Sequence, residues 1–222
     1  MANTDEEHLI QAARGGDLEA FNQLVLIYQG QVYALAYRLL GNRDTAADAT
    51  QEAFLSAFQH IGRFRKGSFR AWLLRITTNF CYDTLRRERS RPTSPLEILF
   101  TRPDSPELHR SEGERTDPEV YLERQELARE IQLALNTLPP EQRIAVVLCD
   151  VEEFPYAEAA RISGISLGTL KSRLHRGRAR LRTHFLEHRE LLPASLRFIL
   201  GSIAAGDEAL PAGQPEDSDE AG

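Results

Sequence analysis

The sequence predicts an all-α protein: two small helical domains joined by a flexible, acidic, Pro-rich linker, the second domain a helix-turn-helix resembling a winged helix without its wing. Three observations lead there. Apolar residues recur on a helical period through residues 5–91 and again after Pro118, and no segment sustains strand-like alternation. Between these stretches, Pro92 to Pro118 holds five prolines and few bulky apolar residues apart from Leu96-Glu97-Ile98-Leu99-Phe100. Such a segment is extended and cannot build a core. Residues 155–182 then read PYAEAARISGISLGTLKSRLHRGRARLR. A short helix, a turn at Gly164 and a densely cationic second helix from about Ser166 are the parts of a helix-turn-helix, in order.

Each element has its own signal. Asp17 is an expected N-cap, and the helix after it, Leu18 to Leu40, carries Phe21, Leu24, Val25, Tyr28, Val32, Leu35, Ala36 and Leu39 on one period. Gly41-Asn42 ends it. Asp44 is the expected cap of the next helix, whose apolar face runs Ala47, Phe54, Phe58, Ile61 and whose other face shows Asp48, Gln51 and Glu52. A basic loop follows with Gly62, Arg63, Phe64, Arg65, Lys66 and Gly67. Ser68 caps a third helix that turns Phe69, Trp72, Leu73, Ile76 and Phe80 inward. Asp117-Pro118-Glu119 places a cap, a first-turn proline and an acid at a positive helix end. A helix to about Asn136 follows, then Leu138-Pro139-Pro140, a helix from Glu141 to Asp150, and the helix-turn-helix with Ala157, Ala160 and Ile162 on its first apolar face. The last 22 residues hold six acids and no Lys or Arg and read as disordered. Leu191 to Ile203 before them is a short amphipathic stretch.

At 222 residues the chain suffices for one medium or two small cores. Its net charge of -6 argues, on average, against a nucleic-acid partner, but the charge is segregated. From Ile61 to Arg91 nine Arg and Lys meet two acids, and from Pro155 to Arg189 eight meet two. Fields act over roughly 8–10 Å at moderate salt, so two basic blocks imply two local contacts with a polyanion. Only Cys81 and Cys149 occur, each in an apolar helical pattern, so buried thiols are expected rather than a disulfide. None of the six histidines has metal-ligand spacing except His184/His188, which lack the accompanying glutamate of a metalloprotease motif. No phosphate-binding glycine loop is present. No cofactor, no metal and no catalytic residue is therefore expected. The acidic start and the lack of an 18-residue apolar run imply no secretory leader, no membrane insertion and a cytoplasmic setting.

In the second basic block, Leu170, Leu174 and Leu181 share an inner face. Lys171, Ser172, His175 and Arg176 share the outer one, at the helix end that meets base edges. Arg and Lys can donate to guanine acceptors, and Ser can contact any base edge. Thr169 and the first-turn amides suit a phosphate. Gly168 lies within the helix at a cost of about 1 kcal/mol relative to Ala, which either a close backbone approach or helix packing would explain. In the first block, Arg75, Asn79, Tyr82, Asp83 and Arg86 fall along one face of the third helix, behind a basic loop with Phe64 and Phe69. Cations interleaved with rings suit single-stranded DNA, where stacking contributes roughly 1–3 kcal/mol per base. For Phe64 stacking and core remain open alternatives, and Trp72 is expected in the core.

Those residues carry a resemblance. Asp48-Ala-Thr-Gln51-Glu52-Ala-Phe54, then Arg63-Phe64 and Gly67-Ser68-Phe69-Arg70-Ala71-Trp72-Leu73-Leu74-Arg75-Ile76-Thr77-Thr78-Asn79, and finally Tyr156-Ala-Glu158-Ala-Ala160 with Gly168 through Arg176, are similar to the extracytoplasmic-function group of bacterial sigma factors. The resemblance divides the chain into a region-two-like domain, 10–91, a linker, 92–118, a region-four-like domain, 119–186, and a C-terminal extension, 187–222. It implies a subunit that binds core RNA polymerase, directs it to promoters and helps open the DNA, and that is not an enzyme. Asp48, Gln51, Glu52 and Phe54 would bind the clamp helices of the largest polymerase subunit. Arg63, Phe64, Lys66, Ser68, Arg75, Asn79 and Arg86 would hold the downstream element and the melted strand. Tyr156, Thr169, Lys171, Ser172, Arg173, His175 and Arg176 would read the upstream element. The partners implied are core polymerase, double- and single-stranded promoter DNA and an anti-sigma factor. With no long heptad seam, the free chain is expected to be a monomer.

Two other readings fit less of the chain. An operator-binding repressor or response-regulator output module explains residues 119–186 but leaves the aromatic, basic third helix idle. A nuclease or other enzyme would need a metal or phosphate motif that the sequence lacks.

Overall fold

The computed structural model describes residues 2–65, 67–90, 118–188 and 190. Its helices are α1 (Ala2–Arg14), α2 (Leu18–Leu40), α3 (Arg43–His60) with a 3-10 turn at Ile61–Arg63, α4 (Phe69–Ser90), α5 (Pro118–Asn136), α6 (Pro140–Val146) continuing into a π-helical turn at Val147–Val151, α7 (Tyr156–Ser163) and α8 (Leu167–Glu187). Among the described residues there is no strand, so the all-α class holds. The expected linker, Lys66, most of the C-terminal extension and its tail lie outside the described residues.

The caps explain the breaks. Asp17 Oδ1 accepts from Ala20 N at 3.1 Å and starts α2. Gly41, at φ 75, ends it and donates its N–H to Tyr37 O at 2.8 Å, a left-handed stop that favours glycine. The cap of α3 is Asn42 and not Asp44: Asn42 is extended and its Oδ1 accepts from Thr45 N at 3.0 Å, leaving Asp44 in the first turn. The inward face of α3 also differs from the expected one. Ala46, Ala49, Ala53 and Ala57 are buried with Ile61, while Ala47 and Phe58 are exposed and Phe54 is half-buried. A stripe of methyl groups lets α3 approach α2 and α4 closely. Phe58 instead meets Phe21 edge-on at 5.0 Å.

In the first half α2 is the hub, packed against α1, α3 and α4. Helix α1 starts before the expected domain boundary at residue 10. It buries Ile10 and Ala13, and Tyr28 Oη donates to Glu6 Oε1 at 2.6 Å. Burial and then that carboxylate hold the Tyr28 phenol well above its usual range. In the second half α8 packs on α6 and α7. The first apolar face of the helix-turn-helix is Ala159, Ala160 and Ile162; Ala157 is exposed. Gly164, at φ 66, makes the turn.

The two halves share one core. Helix α7 packs on α4, and α5 and α6 pack on α2. The seam is polar at its edge. Arg143, 7 % exposed, donates Nη1 to Leu39 O at 2.6 Å and Nη2 to Asn136 O at 2.9 Å, so one guanidinium closes the carbonyl end of α2 and of α5. Gln132 Nε2 donates to Arg38 O at 3.3 Å. A Cβ at Gly41 would lie 2.5 Å from Asn136 Oδ1, so a larger residue there would have to displace that amide as well as adopt the positive φ.

Two glycines of α8 should respond oppositely to alanine. At Gly177 a Cβ would lie 2.7 Å from Val146 Cγ2 and 3.3 Å from Gln142 O, whereas at Gly168 it meets open space. Gly177→Ala is expected to destabilise the protein by about 1–3 kcal/mol, as overpacking does. Gly168→Ala is expected to stabilise it by up to about 1 kcal/mol. Urea unfolding of both variants beside the parent checks the pair of signs.

Candidate nucleic-acid interface

The cationic face of α8 follows from how its other face is buried. Leu170, Leu174 and Gly177 pack inward. Helical spacing then turns Lys171, Ser172, His175 and Arg176 outward, and all four are exposed. Ser166 starts the helix, with Oγ accepting from Thr169 N at 3.1 Å and lying 2.8 Å from Thr169 Oγ1. That hydroxyl pair pins the first turn, the part of a recognition helix nearest base edges. Ser172 Oγ donates to Thr169 O at 2.9 Å, and Arg176 Nε donates to Ser172 O at 3.1 Å. The two side chains therefore lie along the helix.

Three expectations for this half change in detail. Arg173 is half-buried and lines a cleft of about 260 Å³ between α8 and α4, not the outer face, because it stands three residues after buried Leu170. Tyr156 is half-buried, with its hydroxyl 3.5 Å from Arg178 Nη2. Arg178 is held by Asp150 through Nε to Oδ2 at 3.1 Å and Nη2 to Oδ1. That bidentate contact, ahead of Tyr156, raises the pKa of Arg178 further above its usual value. Gly168 has room around it, so packing within the chain does not explain it.

On α4, Leu73, Leu74, Thr77, Thr78 and Cys81 are buried, and Thr77 and Thr78 donate their hydroxyls back to Leu73 O and Leu74 O. Trp72, Ile76 and Phe80 are half-buried against the core. The opposite side exposes Arg75, Asn79, Tyr82, Asp83 and Arg86. Arg63 and Ser68 are exposed in the preceding loop, and Ser68 Oγ accepts from Ala71 N at 3.1 Å to cap the helix. Phe64 settles on the core side of its two alternatives: it is 8 % exposed, edge-on to Phe69 at 5.5 Å and 5.4 Å from Trp72. The ring anchors the basic loop to the core instead of offering a stacking surface, because Phe69 and Trp72 close around it.

On α3, Asp48, Gln51 and Glu52 are exposed and Phe54 is half-buried. Beside them α2 and α3 form a groove of about 780 Å³, with Val25, Leu26, Ile27, Tyr33, Gln51 and Phe54 among its lining. Leu26 and Ile27 are 60 % and 54 % exposed. Sequence reasoning missed them, although they fall off the apolar period of α2, and that departure is the signal that could have found them.

Burial pushes the Cys81 thiol up to about 12 and, with Asp150, the Cys149 thiol up to about 11, so neither is a reactive thiolate near neutrality. His184 and His188 stack at 4.3 Å, and burial, then the charge of His188, lowers the pKa of His184. Among the described residues no group of three His, Cys, Asp or Glu could hold a metal. No described helix is long and apolar enough to cross a membrane.

A helix-turn-helix with an exposed cationic second helix, joined to a helical half with its own exposed cationic and amide-bearing helix, is the architecture of a DNA-binding protein. The family profile for Sigma-70 region 2 matches residues 24–91, and that for Sigma-70 region 4 matches residues 128–181. The ECF RNA polymerase sigma factor SigE of Mycolicibacterium smegmatis is 40 % identical over 171 residues, 77 % of this chain and 63 % of SigE. SigM of Mycobacterium tuberculosis, also an ECF sigma factor, is 38 % identical over 177 residues, 79 % of this chain and 82 % of SigM. The solved structure of the sigma factor RpoE with the anti-sigma factor NepR from Bartonella quintana is similar, with a TM-score of 0.55 at 27 % identity over 76 % of this chain and 98 % of that one. The chain belongs to the ECF RNA polymerase sigma factors, the transcription-initiation subunits that direct polymerase to promoters.

The Ser166 cap is testable by itself. Ser166→Ala is expected to cost about 1 kcal/mol. It should also speed amide exchange of Thr169, measured by hydrogen-exchange NMR, while amides of the middle turns of α8 keep their protection.

Proposed function

We propose that this chain is a promoter-specificity subunit that works by holding three surfaces apart on one small scaffold. The acid-and-amide face of α3, with Asp48, Gln51 and Glu52 beside the apolar groove at Phe54, docks on the basic clamp helices of the largest polymerase subunit. The α4 side, with Arg63, Lys66, Ser68, Arg75, Asn79 and Arg86, holds the downstream element and traps an unstacked base. Asn79 reads that base, since an amide offers both a donor and an acceptor. The α8 side, with Thr169, Lys171, Ser172, His175 and Arg176, reads the upstream element in the major groove. Tyr156 and Arg173 serve as flanking contacts. In this assignment residues 10–91 and 119–186 are the two working domains, 92–118 the tether and 187–222 an extension.

The observation that carries this reading is the pair of exposed cationic faces on α4 and α8, each backed by a fully buried one. A simple repressor needs only the second. The chain performs no chemistry of its own. It acts in the cytoplasm, at the nucleoid, as part of the polymerase holoenzyme. It binds DNA weakly when free, because exposing a base costs a few kcal/mol that only the assembled enzyme offsets. An anti-sigma factor would inhibit it by covering the same faces. What supports that partner is the likeness to RpoE, which was solved bound to NepR.

The direct experiment is transcription in vitro with purified core enzyme and a genomic template, with start sites mapped; no directed start sites would refute the reading. Asn79→Ala is expected to reduce open-complex formation, read by permanganate reactivity, by about 10-fold while leaving polymerase binding intact, roughly the loss of one base contact of 1–3 kcal/mol. Arg176→Ala is expected to weaken or change the selected upstream sequence, read by selection from a randomised promoter pool, with the downstream preference unaltered.

A further inference from the structure

The inner stripe of α8 does not finish on an apolar residue. Leu170, Leu174 and Gly177 are buried, and Leu181 is packed half-buried against the core. The same helical period continues to positions 184 and 188, where it meets His184 and His188. His184 is half-buried and His188 is exposed, so the stripe passes from the core to solvent through two imidazoles. Their ring centroids lie 4.3 Å apart, with 25° between the planes. Both rings fall on the side of α8 opposite Lys171 and His175, away from the face assigned to DNA.

Each ring is prepared to act as a nitrogen ligand. His188 Nδ1 lies 2.9 Å from His184 O. A carbonyl oxygen only accepts, so Nδ1 carries the proton and the Nε2 lone pair of the neutral ring is free. Histidines that hold a metal have their second nitrogen fixed in this way by a backbone carbonyl or a carboxylate. Burial, then the charge of His188, lowers the pKa of His184, which favours the neutral imidazole that a metal requires. Glu130 of α5 and Glu187 act on His184 in the opposite direction, so negative charge already faces this ring. The pair also stands at the carbonyl end of α8, where the helix dipole favours a cation.

We propose that His184 and His188 form a two-point chelate for a divalent first-row transition ion, which pins the last turn of α8 beside α5. Imidazole nitrogens select copper, nickel or zinc over magnesium and calcium, which take oxygen ligands. The nearly parallel rings cannot share an ion as they stand. One must turn about its last side-chain torsion, which is broad and costs little. No group of three His, Cys, Asp or Glu among the described residues could hold a metal, so water fills the remaining positions and the ion is exchangeable. Bridging two residues one turn apart holds that turn against fraying, at the point where the chain continues into its C-terminal extension. The site does not depend on the promoter-reading assignment.

The test is calorimetric titration of the full chain with the chlorides of Cu2+, Ni2+ and Zn2+ at about pH 7.5, where both imidazoles are mostly neutral. One ion per chain is expected, with Cu2+ bound more tightly than Ni2+ or Zn2+ and no heat from Mg2+. His184→Gln and His188→Gln should each weaken binding at least about 100-fold, because the second ligand is supplied intramolecularly. The double variant should be no worse than either single one. His60→Gln is the control: His60 Nδ1 makes the same kind of contact, 2.8 Å from Ser56 O, with no second imidazole one turn away. Its affinity should equal that of the parent. Zn2+ should slow amide exchange in the last turn of α8 in the parent and not in His184→Gln. No binding by the parent, unchanged affinity in His184→Gln, or loss of binding in His60→Gln would each overturn the chelate. Should the substitutions unravel the end of α8, the parent decides the matter by NMR. The His184 and His188 ring resonances should shift together as Zn2+ is added, and a shift in one alone or in neither would overturn it.

Discussion

The approach of α8 to α6 at Gly177 determines which way the recognition helix faces. With hydrogen in place of a methyl group, the α8 backbone comes close enough for Val146 and the carbonyl of Gln142 to occupy the space a side chain would take. Leu174 and Leu170 then fall into the core one and two turns earlier, and the helical period leaves Lys171, Ser172, His175 and Arg176 no direction but outward. The cationic surface is therefore a consequence of packing on the other side of the helix. The same logic governs α4, where Leu73, Leu74, Thr77 and Cys81 sink into the first half and carry Arg75, Asn79 and Arg86 to the surface.

Much of this was legible because helical periodicity and caps are local signals. Asp17, Gly41, Ser68, Gly164 and Ser166 each sit where the chain itself must end or start a helix. The exposed residues Lys171, His175, Arg176, Arg75 and Asn79 follow from period alone. What was not legible depended on contacts far along the chain. The alanine face of α3 cannot be told from its phenylalanine face until α2 and α4 are in place, since small residues become the inner ones only when helices approach closely. Phe64 read equally as a stacking ring or as core, and the balance lay in Phe69 and Trp72, which close around it. Arg173 looked like its neighbours in the recognition helix. Its place three residues after Leu170 turns it away from the outer face, but that α4 walls the cleft it meets there is a fact no spacing within α8 encodes.

The seam is the largest departure from the picture of two modules on a loose tether. Each half supplies what the other lacks. The carbonyl end of α2 has Gly41 as a stop but needs a donor for Leu39 O, and Arg143 of the second half provides it. Arg143 in turn is buried where a lone guanidinium would be costly, and the carbonyls of Leu39, Asn136 and Leu138 make it tolerable. These are neutral acceptors. The contact therefore survives salt in a way that the Glu152 ion pairs, with Arg38 and Arg70 both about one-third exposed, do not. The seam thus combines a salt-resistant contact at the end of α2 with salt-sensitive ion pairs to α2 and α4.

That division changes how the charge of this chain should be counted. The two basic blocks look like two uniform sources of positive field, yet several of their members are already paired. Arg70 is bound by Glu152, and Arg178 by Asp150. Arg173 faces the cleft instead of the outer face. The cations left on the outer surface of α8, Lys171, Arg176, Arg180 and Arg182, run along its length. Asp150 and Glu152 lie on either side of Val151 at the end of one π-helical turn, and each binds an arginine from a basic block. One short turn therefore neutralises an arginine in each basic block, which ties that charge to the packing of the fold itself.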